Sequence, residues 1–88
     1  MKKNDIVTII APMGEFVGKI VEIDEKGILL SDPRLVVSGE QGLGFAHGIA
    51  QTGEMQPKEV LFQQFAFVTP TNKEVEAAWR QHTSGIVT

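Results

Sequence analysis

Gly14-Glu15-Phe16-Val17-Gly18-Lys19-Ile20-Val21-Glu22-Ile23-Asp24-Glu25-Lys26-Gly27-Ile28-Leu29-Leu30 decides the fold of this 88-residue chain. It has no helical spacing, and Phe16, Gly18 and Ile20 fall on one side of an extended strand. A glycine inside a strand pattern marks a bulge or a sharp bend. A bend at Gly18 lets the half that ends at Ile23 keep its apolar side inward as well. Asp24-Glu25-Lys26-Gly27 is a polar hairpin connection, and Ile28-Leu29-Leu30 opens the next strand.

Outward from there, Asp5 to Ala11 is dense in β-branched residues and reads as a preceding strand, closed by Pro12-Met13-Gly14. On the other side, Arg34-Leu35-Val36-Val37 continues the third strand beyond a break at Ser31-Asp32-Pro33. Residues 38–58 hold five of the nine glycines and read either as an extended hairpin lobe, with Phe45 to Ala50 as a short strand, or as a segment ordered by a partner. Glu59 to Thr69 is the most β-like segment, divided by a polar corner at Gln63-Gln64 and ended by Pro70. Beyond the corner, alternation puts Phe65 and Phe67 on one face. Thr71-Asn72-Lys73-Glu74 has capping-box spacing, and Val75, Ala78, Trp79 and His82 share a face of the helix that follows, which Gly85 stops. The expectation is one domain, mainly β. A strongly bent five-stranded sheet can curl into a partly open barrel of the SH3 or OB kind, with a glycine-rich insertion over 39–58 and a C-terminal helix over 71–83.

Composition excludes several function classes. Eight Lys and Arg against eleven Asp and Glu give a net charge of −3, so bulk positive charge is not what would hold a nucleic acid. There is no cysteine for a disulfide framework or a thiolate metal site. His47 and His82 stand far apart and read as surface or packing histidines, with no metal or cofactor expected. The neighbouring carboxylates of Asp24 and Glu25 point apart, and Gly42-Leu43-Gly44 with Gly48 misses dinucleotide-loop spacing, so no catalytic residue is expected. The longest apolar run, Phe65-Ala66-Phe67-Val68, has four residues, far short of a membrane span, and the expected compartment is the cytoplasm. That run carries no charge, so as an edge strand it calls for pairing with another subunit, with Phe62, Phe65 and Phe67 at the interface.

The stretch Gly14–Leu30 resembles the first Sm motif: a strand-bending glycine, an apolar residue two on, an aspartate six on, and an aliphatic run four beyond that. Val7-Thr8-Ile9 before it and the segment from Val60 to Pro70 resemble the first strand and second motif of the Sm-like family. In length and register the second motif is similar to that of the bacterial Sm-like RNA chaperones, and the chain also resembles small Sm-like proteins attributed to marine cyanophages. The resemblance spans two blocks, 7–30 and 58–70.

It implies a homo-oligomeric closed ring of roughly five to seven subunits, without enzymatic activity, that binds single-stranded RNA or DNA near its pore and acts in RNA or DNA processing or regulation. Carried onto this chain, Glu25 and Lys26 after Asp24, and the corner Phe62-Gln63-Gln64, would face the nucleic acid, while Asp24 would brace its loop. The asparagine that many family members use for base recognition is absent after Asp24, and Phe62 stands at the basic position of the second motif. The negative charge also supports an alternative: a structural or protein-interaction ring that uses the barrel without nucleic acid.

Overall fold

A computed structural model describes residues 1–46 and 48–84; the helix stop read at Gly85, and His47, lie outside the described residues. The strands are β1 (Ile6–Ala11), β2 (Gly14–Asp24), β3 (Gly27–Gly39), β4 (Gly42–Phe45), β5 (Glu59–Phe62) and β6 (Phe67–Pro70), followed by helix α1 (Lys73–Thr83). They form one antiparallel sheet of six strands, in the order β4-β3-β2-β1-β6 with β5 also on β3, and the sheet is not closed.

Six strands replace the expected five because the glycine-rich segment contributes β4. That strand ends at Phe45 instead of beginning there. Glu40 and Gln41 form a two-residue turn that pairs Gly39 with Gly42, so the hairpin sets the register from its own tip.

Two bulges bend β2 and β3. Register jumps between Val17 opposite Arg34 and Lys19 opposite Ser31, so β3 carries one extra residue beside Gly18. Asp32, within that excess, takes a φ of 50°. Gly18 sits where a β-carbon would lie 3.0 Å from the Leu30 Cδ1 and 3.2 Å from the Ser31 carbonyl oxygen, so a side chain there would force its neighbours to give by a few tenths of an ångström. A second jump, between Ile20 and Glu22, is the one that brings Ile23 opposite Ile28. The bend at Gly18 was expected to turn Ile23 inward. Ile23 instead remains 44% exposed, although Ile28 opposite it belongs to the core.

The curl follows from connectivity. In a flat sheet β5 and β6 would stand four strand spacings apart, about 19 Å. The five Cα steps from Phe62 to Phe67 reach only about 18 Å when fully stretched. The sheet therefore wraps around a core of Val7, Ile9, Phe16, Ile20, Leu30 and Phe62, with Ile49 from the loop after β4 packed against it.

The opposite face of β1 and β2 carries a second cluster, Ile6 and Val17 with Trp79 of α1. The helix thus packs on the outside of the sheet, and its indole Nε1 donates to the Asp32 carbonyl at 2.9 Å. Asn72, not Thr71, caps it: the Asn72 Oδ1 accepts from the Val75 amide at 2.9 Å. The capping box read over Thr71–Glu74 is displaced because Thr71 is engaged elsewhere. Its hydroxyl shares a buried 2.8 Å hydrogen bond with the Thr8 hydroxyl, and its amide donates to the Ile6 carbonyl at 3.1 Å.

Phe65 and Phe67 do not share a face. The chain is extended only from Phe67 onward, so Phe65 packs against the core while Phe67 is 56% exposed.

Arg34 is buried, at 4% exposed. Its Nη1 donates to the Pro33 carbonyl at 2.9 Å, while its Nε has no hydrogen-bond partner. Burial pulls the guanidinium below its ordinary range, and the charge of Asp32 only partly offsets this. A group whose folded pKa is depressed in this cationic sense costs stability wherever it stays protonated, which for arginine is the whole accessible pH range. Arg34→Met is therefore expected to leave the urea midpoint unchanged or raise stability by about 1 kcal/mol, with no pH dependence between pH 5 and 9. A loss of more than about 2 kcal/mol would show that the guanidinium holds a partner across the layer.

Candidate functional site

The β2–β3 turn and the corner after β5 meet at one place. Ile28 pairs with Phe62 across β3 and β5, which carries the preceding turn up to the start of the corner. Gly27 is the joint. It has a φ of 143°, and a β-carbon built on it would overlap the Phe62 carbonyl oxygen and lie 3.3 Å from the Gln63 Cα. Only a residue without a side chain lets the turn seat against the corner in this way.

Within the turn, Asp24 Oδ1 accepts from the Lys26 amide at 2.8 Å, an Asx-type contact that ties the loop to itself. Glu25, Lys26, Gln63 and Gln64 are exposed around this joint. Phe62 differs from them: its side chain is buried in the core with its ring 5.0 Å from that of Phe16, so only its backbone borders the surface.

A shallow groove of about 220 Å³ adjoins the turn, lined by Glu22, Asp24, Lys26, Gly27, Leu29 and Leu61. Glu22, Leu29 and Leu61 are additions that sequence reasoning missed. The signal for them was present, because alternation through Glu59–Phe62 sends Leu61 to the face opposite Phe62, and Leu61 stands directly across from Leu29.

Chemically, the surface offers amide donors and acceptors from two glutamines, one ammonium and an apolar floor, beside the carboxylates of Glu22, Asp24 and Glu25. Amide groups of this kind read hydrogen-bonding edges such as those of unpaired bases. The carboxylates outnumber the ammonium, so this surface has no net positive charge to attract phosphate at a distance.

The flanking strands end the sheet. Among the described residues β6 pairs only with β1, and β5 only with β3. The outer face of these edges carries Phe67 and Leu61, the latter 46% exposed, and β6 has no charged residue. His82 lies half-buried on the inner side of α1, its ring 5.4 Å from that of Phe45.

No known family model matches the chain, and neither a curated protein nor a solved structure matches it. Among the described residues no helix is long and apolar enough to cross a membrane.

Proposed function

We propose that this chain is an Sm-like, non-enzymatic subunit that assembles into a closed homo-oligomeric ring and binds single-stranded RNA or DNA. The observation that carries the reading is the seating of Gly27 against Phe62 and Gln63. It joins the two segments that the Sm resemblance assigns to nucleic acid, Glu25-Lys26 and Gln63-Gln64, into one surface. Two further features support the ring. Among the described residues no strand covers the outer edges of β5 and β6 next to that surface, and β5 against β6 of a neighbour would continue the apolar row Leu29–Leu61 with Phe67. Repetition around a ring would also turn one lysine per subunit into a band, and its contact with phosphate would be local, because the carboxylates repeat with it and the net charge repels phosphate at a distance.

A second reading, a protein-interaction ring without nucleic acid, draws on the three carboxylates that stand beside Lys26. Binding to U-rich and A-rich single strands across a salt series separates the two, with native mass analysis run in parallel. The first reading expects a single closed oligomer and binding that weakens as salt rises. It also expects Lys26→Ala and Gln63→Ala each to lose about tenfold in affinity, near 1.4 kcal/mol. Absence of binding at low salt leaves the protein-interaction ring. A stable monomer at micromolar concentration overturns both. Phe67→Glu places a charge on the uncharged edge and is expected to shift the oligomer to monomer without lowering the melting temperature of the subunit.

A further inference from the structure

We infer that the cleft between β4 and α1 is a docking site for an extended peptide of another protein, with alternating apolar side chains and a lysine or arginine at one end. The inference stands apart from the ring and nucleic-acid reading, since neither β5 nor β6 borders this cleft.

The cleft encloses about 310 Å³ between the strand residues Val36, Leu43, Gly44 and Phe45 and the helix residues Glu74, Val75 and Ala78. Val36, Phe45 and Val75 pack against the Trp79 cluster, so the floor is held rigid. Leu43 is 66% exposed at its mouth. An apolar trough with one fixed strand wall and one helical wall accepts a chain laid along the strand.

The backbone of β4 specifies what kind of chain. The Ala46 amide donates to the Leu35 carbonyl at 2.9 Å, and Val37 pairs with Gly44 in the same register. In an antiparallel ladder this turns the N–H and C=O groups of Leu43 and Phe45 away from β3. Among the described residues no strand covers that edge. Gly42-Leu43-Gly44-Phe45 also lacks charge and proline, the usual devices that keep an edge from pairing. Two outward-facing residues separated by one residue present donors and acceptors at the two-residue repeat of a strand, which a peptide backbone matches and a compact small molecule does not.

Glu74 fixes the polarity of the ligand. It is the one charged residue in the lining, and it calls for a cationic side chain on the peptide. This argues against a second copy as occupant. Of the exposed edge segments of this chain, Phe67-Val68-Thr69-Pro70 has no cation to meet Glu74, and β5, though preceded by Lys58, places Glu59 next to that cation and keeps Phe62 in its own core.

A random heptapeptide display library, selected on the full chain and on Ala78→Trp, tests the assignment. Ala78 is an exposed helix residue, so tryptophan there fills the cleft from the surface. The expected result is a set of clones enriched about tenfold or more on the unmodified chain over Ala78→Trp, each combining alternating apolar positions with a lysine or arginine. The corresponding synthetic peptide should shift the amide resonances of Leu43, Phe45 and Val75. Glu74→Lys should cut its affinity about tenfold, and exchange of the peptide cation for glutamate should restore it. Glu74→Lys also serves if Ala78→Trp fails to fold. Equal enrichment on both proteins, no enrichment, a consensus without a cation, or resonance shifts confined to other strands each overturns the proposal. So does a cleft covered by self-association, seen as an Ala78→Trp variant with a smaller oligomer than the unmodified chain.

Discussion

Gly27→Val is expected to cost about 4 kcal/mol, about a third or more of the chain's whole stability. Two independent penalties meet at this position. The backbone φ of 143° lies where L side chains carry strain, and the first carbon of any side chain would overlap the Phe62 carbonyl oxygen. The obstacle is backbone, paired through Phe62 to Ile28, so it cannot swing aside as the end of a flexible side chain would. For 88 residues a total stability of roughly 4–13 kcal/mol is typical, which makes a loss of this size decisive. The urea midpoint, read at constant slope, measures it. Gly27→Ala should fall between the two. A valine variant within about 1 kcal/mol of the parent would mean that the turn does not rest on Phe62, and would remove the joint on which the proposed binding surface depends.

Trp79→Ala is expected to lose about 3–5 kcal/mol, the range for deleting a large buried aromatic. The indole fills the second cluster against Ile6 and Val17, and its Nε1 hydrogen bond to the Asp32 carbonyl ties α1 to the bulge in β3. No residue of α1 belongs to the cluster inside the curled sheet. The helix should therefore lose amide protection first, while the amides of Val7, Ile9 and Leu30 stay protected under conditions where the variant remains folded. Hydrogen exchange followed residue by residue makes the distinction. Protection lost in step by the helix and by the strand core would show a single cooperative unit and contradict the two-cluster description. A loss below about 1 kcal/mol would contradict the packing of Trp79 itself.

The sequence signals that proved most durable are those written in short-range chemistry. The β-branched run of β1, the polar turn at Asp24–Gly27, the corner at Gln63-Gln64 and the bend at Gly18 are all read from neighbours a few residues apart, and each occurs in the structure. Strand β4 escaped such reading because glycine-rich sequence has little β propensity of its own, and its register comes from the hairpin turn. The capping residue moved from Thr71 to Asn72 because Thr71 meets Thr8, a partner 63 residues away in the chain. For the candidate site, Glu25, Lys26, Gln63 and Gln64 follow from the Sm resemblance and lie exposed around one joint, while Phe62 is turned into the core.

By itself, then, the sequence determined that this chain is mainly β, that β2 bends at Gly18, and that a helix follows the last strand, because turn chemistry, alternation and helical spacing are local properties. Only the tertiary structure decided that Gly27 abuts Phe62, that Trp79 covers the outer face of the sheet, that Phe67 lies exposed and that β4 borders a cleft with α1. These outcomes depend on the curl that the Phe62–Phe67 connection and the two bulges impose, and a curl is a sum over contacts between strands distant in sequence.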